Sequence, residues 1–134
     1  MNKKIVLLTK RTEMAKILVI DDELDICLML TRHLKSLNFD SEYARTVHDA
    51  SIQMNKHTYD LMFIDLNLLE GSGYDIIKLV KKQHLKTKII VISAHDSEGN
   101  QARDKGADLF IAKPFSTKIV NEALKSINIL PIPS

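Results

Sequence analysis

A chain of 134 residues, 45% hydrophobic and 27% charged, is long enough for one hydrophobic core and too short for two ordinary domains. Its formal net charge of +2, with basic residues scattered in pairs such as Lys3-Lys4 and Lys81-Lys82, argues for neither a nucleic-acid partner nor an anionic membrane. The single cysteine, Cys27, cannot close an intrachain disulfide and shows no zinc spacing, so a reducing cytoplasm is the expected location.

Residues 1–14 read as an N-terminal extension ahead of a domain over 15–130, with 131–134 as a C-terminal tail. Lys3-Lys4 before Ile5, Val6, Leu7 and Leu8 is similar to the start of a signal peptide, but the apolar run is too short. No segment approaches membrane-spanning length. The run from Ile5 to Leu8 could form a short strand or an apolar dimer contact, a frayed terminus being the commoner outcome.

Ile17, Leu18, Val19 and Ile20 form an apolar run without alternation, which is how a strand buried on both faces of a parallel sheet reads. It ends in acid: Asp21, Asp22, Glu23 and Asp25. Part of that acid suits the start of a helix, where carboxylates meet orphan N–H groups. The helix follows as Ile26, Met29, Leu30, His33, Leu34 and Leu37, one apolar stripe. His33 is expected at the core edge rather than on a metal, since no metal-type residue stands at helical spacing from it. Residues 39–44 alternate weakly, as an edge strand does, and 46–56 read as a helix turning Val47, Ala50, Ser51 and Met54 inward.

The segment YDLMFIDLNLLEGSG at 59–73 organises the rest. Leu61 to Ile64 make a second fully buried strand, and Asp65 stands at its carboxyl end, the end at which open α/β sheets bind ligands. Gly71 and Gly73 fit turn chemistry better than a phosphate-binding fingerprint, whose third glycine is missing. A helix from Tyr74 to about Gln83 follows. KIIVI at 88–92 is a third buried strand, ending in Ser93, and a last strand at 108–111 ends near Lys113. Ser116 caps a final helix with Val120, Leu124 and Ile127 inward, stopped by Pro131. Five strands alternating with five helices predict a doubly wound parallel sheet with right-handed crossovers.

Asp21, Asp22, Asp65, Ser93 and Lys113 thus fall at strand ends that one crevice could collect. Neighbouring carboxylates repel, and a hard cation relieves the repulsion. Mg²⁺ suits such a site because it prefers octahedral oxygen ligation, keeps several waters and is typically held by one or two carboxylates plus a phosphate oxygen. Lys113 would pair with Asp65 or its phosphate, and Ser93 would donate to another phosphoryl oxygen. Aspartate carboxylates are known nucleophiles in phosphoryl transfer.

These residues carry a family resemblance over about Ala15 to Ile129. VIDDE (19–23), FIDLNL (63–68) with the later Gly73, ISA (92–94) and GADLFIAKPF (106–115) resemble the response-regulator receiver domain of two-component signalling, in its single-domain, chemotaxis-regulator form. The resemblance implies a flavodoxin-like fold of five parallel strands in order 2-1-3-4-5. It implies Asp65 as phosphoacceptor, with Asp21, Asp22, Asp65 and the Asn67 carbonyl around Mg²⁺. Ser93 and Phe110 would be the switch hydroxyl and aromatic, and Lys113 the phosphate-contacting lysine. Asn67 and His95 would tune dephosphorylation. Such a domain catalyses its own phosphorylation and dephosphorylation without being a conventional enzyme. Its partners would be a sensor histidine kinase or histidine phosphotransfer protein and a downstream target protein. A homodimer stays open; no output domain is expected after the final helix, so direct DNA binding is not expected, and the small net charge already argues against a membrane.

The chain departs from the family pattern at three places. Leu69 stands where proline is usual, and Phe110 where tyrosine is commoner, so that ring has no hydroxyl to offer a partner. Between Ser93 and Gly106 the chain is shorter than usual, and residues 96–105 hold a single apolar side chain, Ala102. An amphipathic helix needs about three apolar positions per two turns, so the fourth helix should be short or irregular, and ordinary output partners are put in doubt. An alternative reading is a receiver-like interaction module with vestigial phosphorylation. A dehalogenase-type phosphatase is disfavoured because Asn67, not a second Asp, follows Asp65 at two residues.

Overall fold

In the computed structural model, which describes residues 14–84 and 86–131, five parallel strands form one sheet. They are β1 (Lys16–Ile20), β2 (Asp40–Ala44), β3 (Leu61–Asp65), β4 (Lys88–Ser93) and β5 (Leu109–Ala112), in the order β2-β1-β3-β4-β5. The helices are α1 (Leu24–Ser36), α2 (Val47–Lys56), α3 (Gly73–Gln83), α4 (Gly99–Asp104) and α5 (Thr117–Ser126). This is the expected doubly wound arrangement and strand order. The expectations for the run from Ile5 to Leu8 fall outside the described residues.

The unalternating strands have a simple cause. Successive side chains of a strand point to opposite faces, and here both faces are covered. Leu18, Ile20, Met62, Ile64, Ile89 and Val91 join one apolar cluster with Ala50 and Met54 of α2, Ile76, Ile77 and Val80 of α3, and Ala102 of α4. Ile17, Val19, Leu61, Phe63, Ile90 and Ile92 join another with Cys27, Leu30 and Leu34 of α1 and Val120, Ala123 and Leu124 of α5. Each Val, Leu, Ile, Phe or Met side chain among them contributes roughly 1.5–3 kcal/mol by leaving water, so both layers pin the register. β2 pairs with β1 alone, in keeping with its weaker apolar pattern. His33 bridges the two helices of one face, its Nε2 lying 2.7 Å from Asn121 Oδ1.

Helix ends follow their side chains. Thr46 and Ser116 accept the Asp49 and Ile119 N–H groups at 3.0 and 3.3 Å, and Ser72 forms a reciprocal capping box with Asp75. The expected stop at Pro131 needs correcting. α5 ends at Ser126 because Asn128 takes a left-handed turn at φ 60°, with the Ile129 N–H donating to the Leu124 carbonyl at 2.9 Å. Asn38, at φ 67°, ends α1 in the same way, with the Phe39 N–H on the Leu34 carbonyl at 3.0 Å. Asparagine tolerates this conformation, and the crossed bonds satisfy orphan carbonyls. The fourth helix is short, as its composition requires: a 3-10 turn at Asp96–Glu98 leads into six residues of α4 that bury Ala102.

Candidate functional site

The carboxyl ends of β1, β3, β4 and β5 converge on one acidic crevice. Asp21, immediately beyond β1, is fully buried, and Asp65, the last residue of β3, is 3% exposed. Carboxylate oxygens of Asp21, Asp22 and Asp65 all lie within 4.8 Å of one another.

The backbone that presents them is braced from several sides. The Asp21 N–H donates to the Ala44 carbonyl at 3.2 Å, and the Cys27 thiol donates to the Asp21 carbonyl at 3.2 Å. Burial pushes that thiol up to about 11, so Cys27 acts as a packing group rather than a nucleophile. Arg45 clamps the Asp22 carbonyl with Nε and Nη2 at 3.2 and 2.9 Å. At β3 the close partner is Gly73. A Cβ there would collide with the Asp65 carbonyl oxygen and stand 2.9 Å from Ile64 Cγ2, so glycine at this position lets α3 start directly against the strand end.

Lys113 supplies the counter-charge. Its Nζ lies 2.9 Å from Asp21 Oδ2, 3.0 Å from Glu23 Oε2 and 3.2 Å from Asp65 Oδ2. Its N–H donates to the Ser93 carbonyl at 2.8 Å, which ties the ends of β4 and β5 together, and its peptide bond to Pro114 is cis. Burial alone would lower the ammonium, but the bonds to Asp21 and Glu23 outweigh it and hold the group above its ordinary value. Asp65 goes the other way for a carboxyl. Burial pushes it up to about 6, against the Asn67 N–H that donates to its Oδ1 at 3.1 Å, with Asp21 adding to the rise and Lys113 opposing it. Burial raises Asp21 too, against the pull of Lys113 and of the Glu23 N–H, 2.8 Å from its Oδ1.

One ammonium does not satisfy this set. Asp21 Oδ2 is buried and has no aligned hydrogen bond, its contact with Lys113 being an ion pair without that geometry. A buried carboxylate with an orphaned oxygen, grouped with two further carboxylates and no nitrogen or sulfur ligand, is a donor set that fits a hard cation.

The remaining predicted residues lie on the β4 side. Ser93 is fully buried, and its hydroxyl donates to Glu98 Oε1 at 2.8 Å while accepting the His95 N–H at 3.1 Å. His95 itself is exposed, as is Asn67, whose Nδ2 donates to the same Glu98 oxygen at 3.3 Å. Phe110, on β5, is half-buried and packs against the cluster under α2 and α3. Leu69 is 81% exposed in the loop after β3. The structure therefore gathers Asp21, Asp22, Asp65 and Lys113 directly, and joins Ser93 and Asn67 through Glu98. Glu23, Arg45 and Glu98 are contacts that the sequence did not reveal.

A doubly wound sheet with an acidic, lysine-paired crevice at its strand ends defines a receiver-type architecture. The chain belongs to the response regulator receiver domain family, whose sequence model matches residues 17–125. It is 34% identical over 101 residues to the response regulator protein PilR of Pseudomonas aeruginosa, an alignment covering 74% of this chain and 23% of PilR. The chain spans about half the length of other curated relatives it matches. Among solved structures it is similar to the chemotaxis response regulator CheY4 of Vibrio cholerae, with TM-score 0.80 and 24% identity over 86% of this chain and 99% of that one. It is likewise similar to the response regulator TrrA of Thermotoga maritima, solved in complex with Mg²⁺ and BeF, with TM-score 0.77 and 25% identity over 85% of this chain and 99% of that one. Among the described residues, no helix is long and apolar enough to cross a membrane.

Proposed function

We propose that this chain is a phosphoacceptor switch, in which Asp65 takes a phosphoryl group from a phosphohistidine of a sensor kinase or phosphotransfer protein in the cytoplasm. The observation that carries the reading is Asp65 itself: a nearly buried strand-end carboxylate with Lys113 at 3.2 Å and two further carboxylates alongside.

In the transfer, an Asp65 oxygen attacks phosphorus in line, the P–N bond breaks, and its electron pair returns to the imidazole of the donor. Asp21, Asp22 and Asp65 would hold Mg²⁺, with the Asn67 carbonyl as a further ligand by family resemblance. Held there, the ion would supply charge neutralisation on the phosphoryl oxygens. Lys113 remains anchored to Asp21 and Glu23 as it turns to a phosphoryl oxygen, so its charge is in place before the substrate arrives. Ser93 donates to a second phosphoryl oxygen, and the Phe110 ring responds to that movement. Exposed Asn67 and His95 flank the approach of the hydrolytic water and set the lifetime of the phosphoryl group. The changed surface is then read by a protein partner.

Incubation with acetyl phosphate and Mg²⁺, followed by intact mass measurement, should show one added phosphoryl group, absent from Asp65→Asn. A carboxamide matches the shape of the carboxylate and lacks its nucleophilicity. A wild-type chain that stays unmodified would point instead to an interaction module, and phosphate retained by Asp65→Asn would place the acceptor elsewhere.

A further inference from the structure

Glu98 belongs to none of the motifs that mark the site, yet it holds two of the site's hydrogen-bond donors. Its Oε1 accepts the Ser93 hydroxyl at 2.8 Å and the Asn67 side-chain amide at 3.3 Å. Ser93 closes β4, and the main-chain N–H of Asn67 is bonded to Asp65 Oδ1 at 3.1 Å. Lys113, with its bonds to Asp21, Glu23 and Asp65, forms a separate set of contacts. Glu98 therefore accepts from two donors beside Asp65 that take no part in the Lys113 contacts.

A serine hydroxyl has one proton to donate. The bond from Ser93 to Glu98 and a bond from Ser93 to a phosphoryl oxygen exclude each other. Charge works in the same direction, because a phosphoryl group brings about −1.5 to −2 into a crevice where Glu98 is already a neighbour of Asn67 and Ser93. The position of Glu98 in the chain gives the exchange a route outward. It closes the 3-10 turn and precedes Gly99, the first residue of α4, and a Cβ on Gly99 would stand 3.5 Å from Phe110 Cδ1. Glu98 is thus joined by one peptide bond to a glycine whose missing side chain would face the Phe110 ring.

We propose that Glu98 is an internal stand-in for the phosphoryl group, a positioning residue whose carboxylate holds the Ser93 hydroxyl in the unphosphorylated protein and is displaced when Asp65 is phosphorylated. This rests on the phosphoacceptor reading of Asp65 and adds to it a built-in competitor. The competitor keeps the hydroxyl occupied in the resting state, and its release moves the start of α4 against Phe110.

The test uses the full chain with acetyl phosphate and Mg²⁺, comparing wild type, Glu98→Ala, Glu98→Gln, Ser93→Ala and the Glu98→Ala/Ser93→Ala double variant. Losing a hydrogen bond to a charged acceptor frees Ser93, so Glu98→Ala should raise the phosphorylation rate roughly tenfold. Glu98→Gln, which keeps the shape and a neutral acceptor, should fall between. The gain should vanish in the Ser93→Ala background, which a general loss of packing would not produce. The His95 amide, donating to Ser93 Oγ at 3.1 Å, provides a second readout: its NMR resonance in unphosphorylated Glu98→Ala should move toward its position in phosphorylated wild type. Phosphorylated wild type together with an unchanged rate and unmoved His95 resonance in both Glu98 variants overturns the Glu98 assignment alone. A tenfold gain that persists without Ser93 overturns it as well. A wild-type chain that takes no phosphate overturns the phosphoacceptor reading and the displacement with it.

Discussion

Lys113 Nζ sits 2.9 Å from the fully buried Asp21 carboxylate, and this pair fixes the charge of the crevice before any ligand arrives. Truncating one partner of such a pair leaves the other charge buried and uncompensated, at a cost of about 3–5 kcal/mol. Lys113→Met should therefore lower stability by that order in metal-free buffer, and Mg²⁺ should restore part of it by taking over the carboxylates. Urea denaturation with EDTA and with Mg²⁺ measures both. Equal losses in the two buffers would show that the cation does not share the lysine's role.

Asp65 predicts a pH dependence of the opposite sign to that of an ordinary salt-bridged aspartate. Its carboxyl has a reference value of 3.8 and is pushed up to about 6 by burial, so the folded chain holds the proton more tightly than the unfolded one. Stability from this group is greatest below the unfolded value, falls as pH rises between about 4 and 6, and stays reduced above that. Asp65→Asn removes the ionisation. In metal-free buffer the variant should gain on wild type by roughly 2–3 kcal/mol between pH 4 and pH 7. A stability difference that is the same at both pH values would contradict the burial argument.

Cation binding should follow the same groups. Asp21 and Asp65 are both raised by burial, and a carboxylate must lose its proton to ligate. Mg²⁺ affinity, followed by calorimetry, should weaken as pH falls through about 6. Asp22→Ala should weaken it at neutral pH too, and undiminished affinity in that variant would remove Asp22 from the ligand set.

The fourth helix should be the least protected. α4 buries Ala102, whereas α3 buries Gly73, Ile76, Ile77 and Val80, and local opening is governed by how much apolar contact must be lost. Amide hydrogen exchange in residues 99–104 should outpace that in α3 in the unphosphorylated chain. Comparable protection of the two helices would mean that contacts other than burial hold α4.

How much of this could be read in the residues follows from which forces act locally. Ile17 to Ile20, Leu61 to Ile64 and Lys88 to Ile92 announced strands covered on both faces because both parities of each run are apolar, and the sheet order followed from the receiver resemblance carried by the same segments. Asp21, Asp22, Asp65 and Lys113 were legible because each directly ends or closely follows a strand, and strand ends of such a sheet must converge. Glu98 was not, since its role depends on a turn that brings it back onto Ser93, and nothing in DSEGN distinguishes a solvated carboxylate from a bonded one. Arg45 was missed for a similar reason: its partner is a backbone carbonyl, which leaves no mark on side-chain composition. The asparagine stops at Asn38 and Asn128 were open to detection, and Pro131 drew attention away from the second.

On the phosphoacceptor reading proposed above, the crevice also links phosphate acceptance to the seating of the last strand. Lys113 stands 48 residues from Asp65 and 90 from Glu23, and it reaches them because β5 has docked beside β4 at the edge of the sheet. A chain emerging from synthesis has Asp65 well before Lys113, and the two meet once the last strand is seated. Any form in which β5 is frayed, nicked or not yet made keeps Asp65 but lacks the ammonium placed 3.2 Å from it. On that reading, the full charge complement beside Asp65 is assembled once the last strand is in place, so the state of β5 is felt at the end of β3.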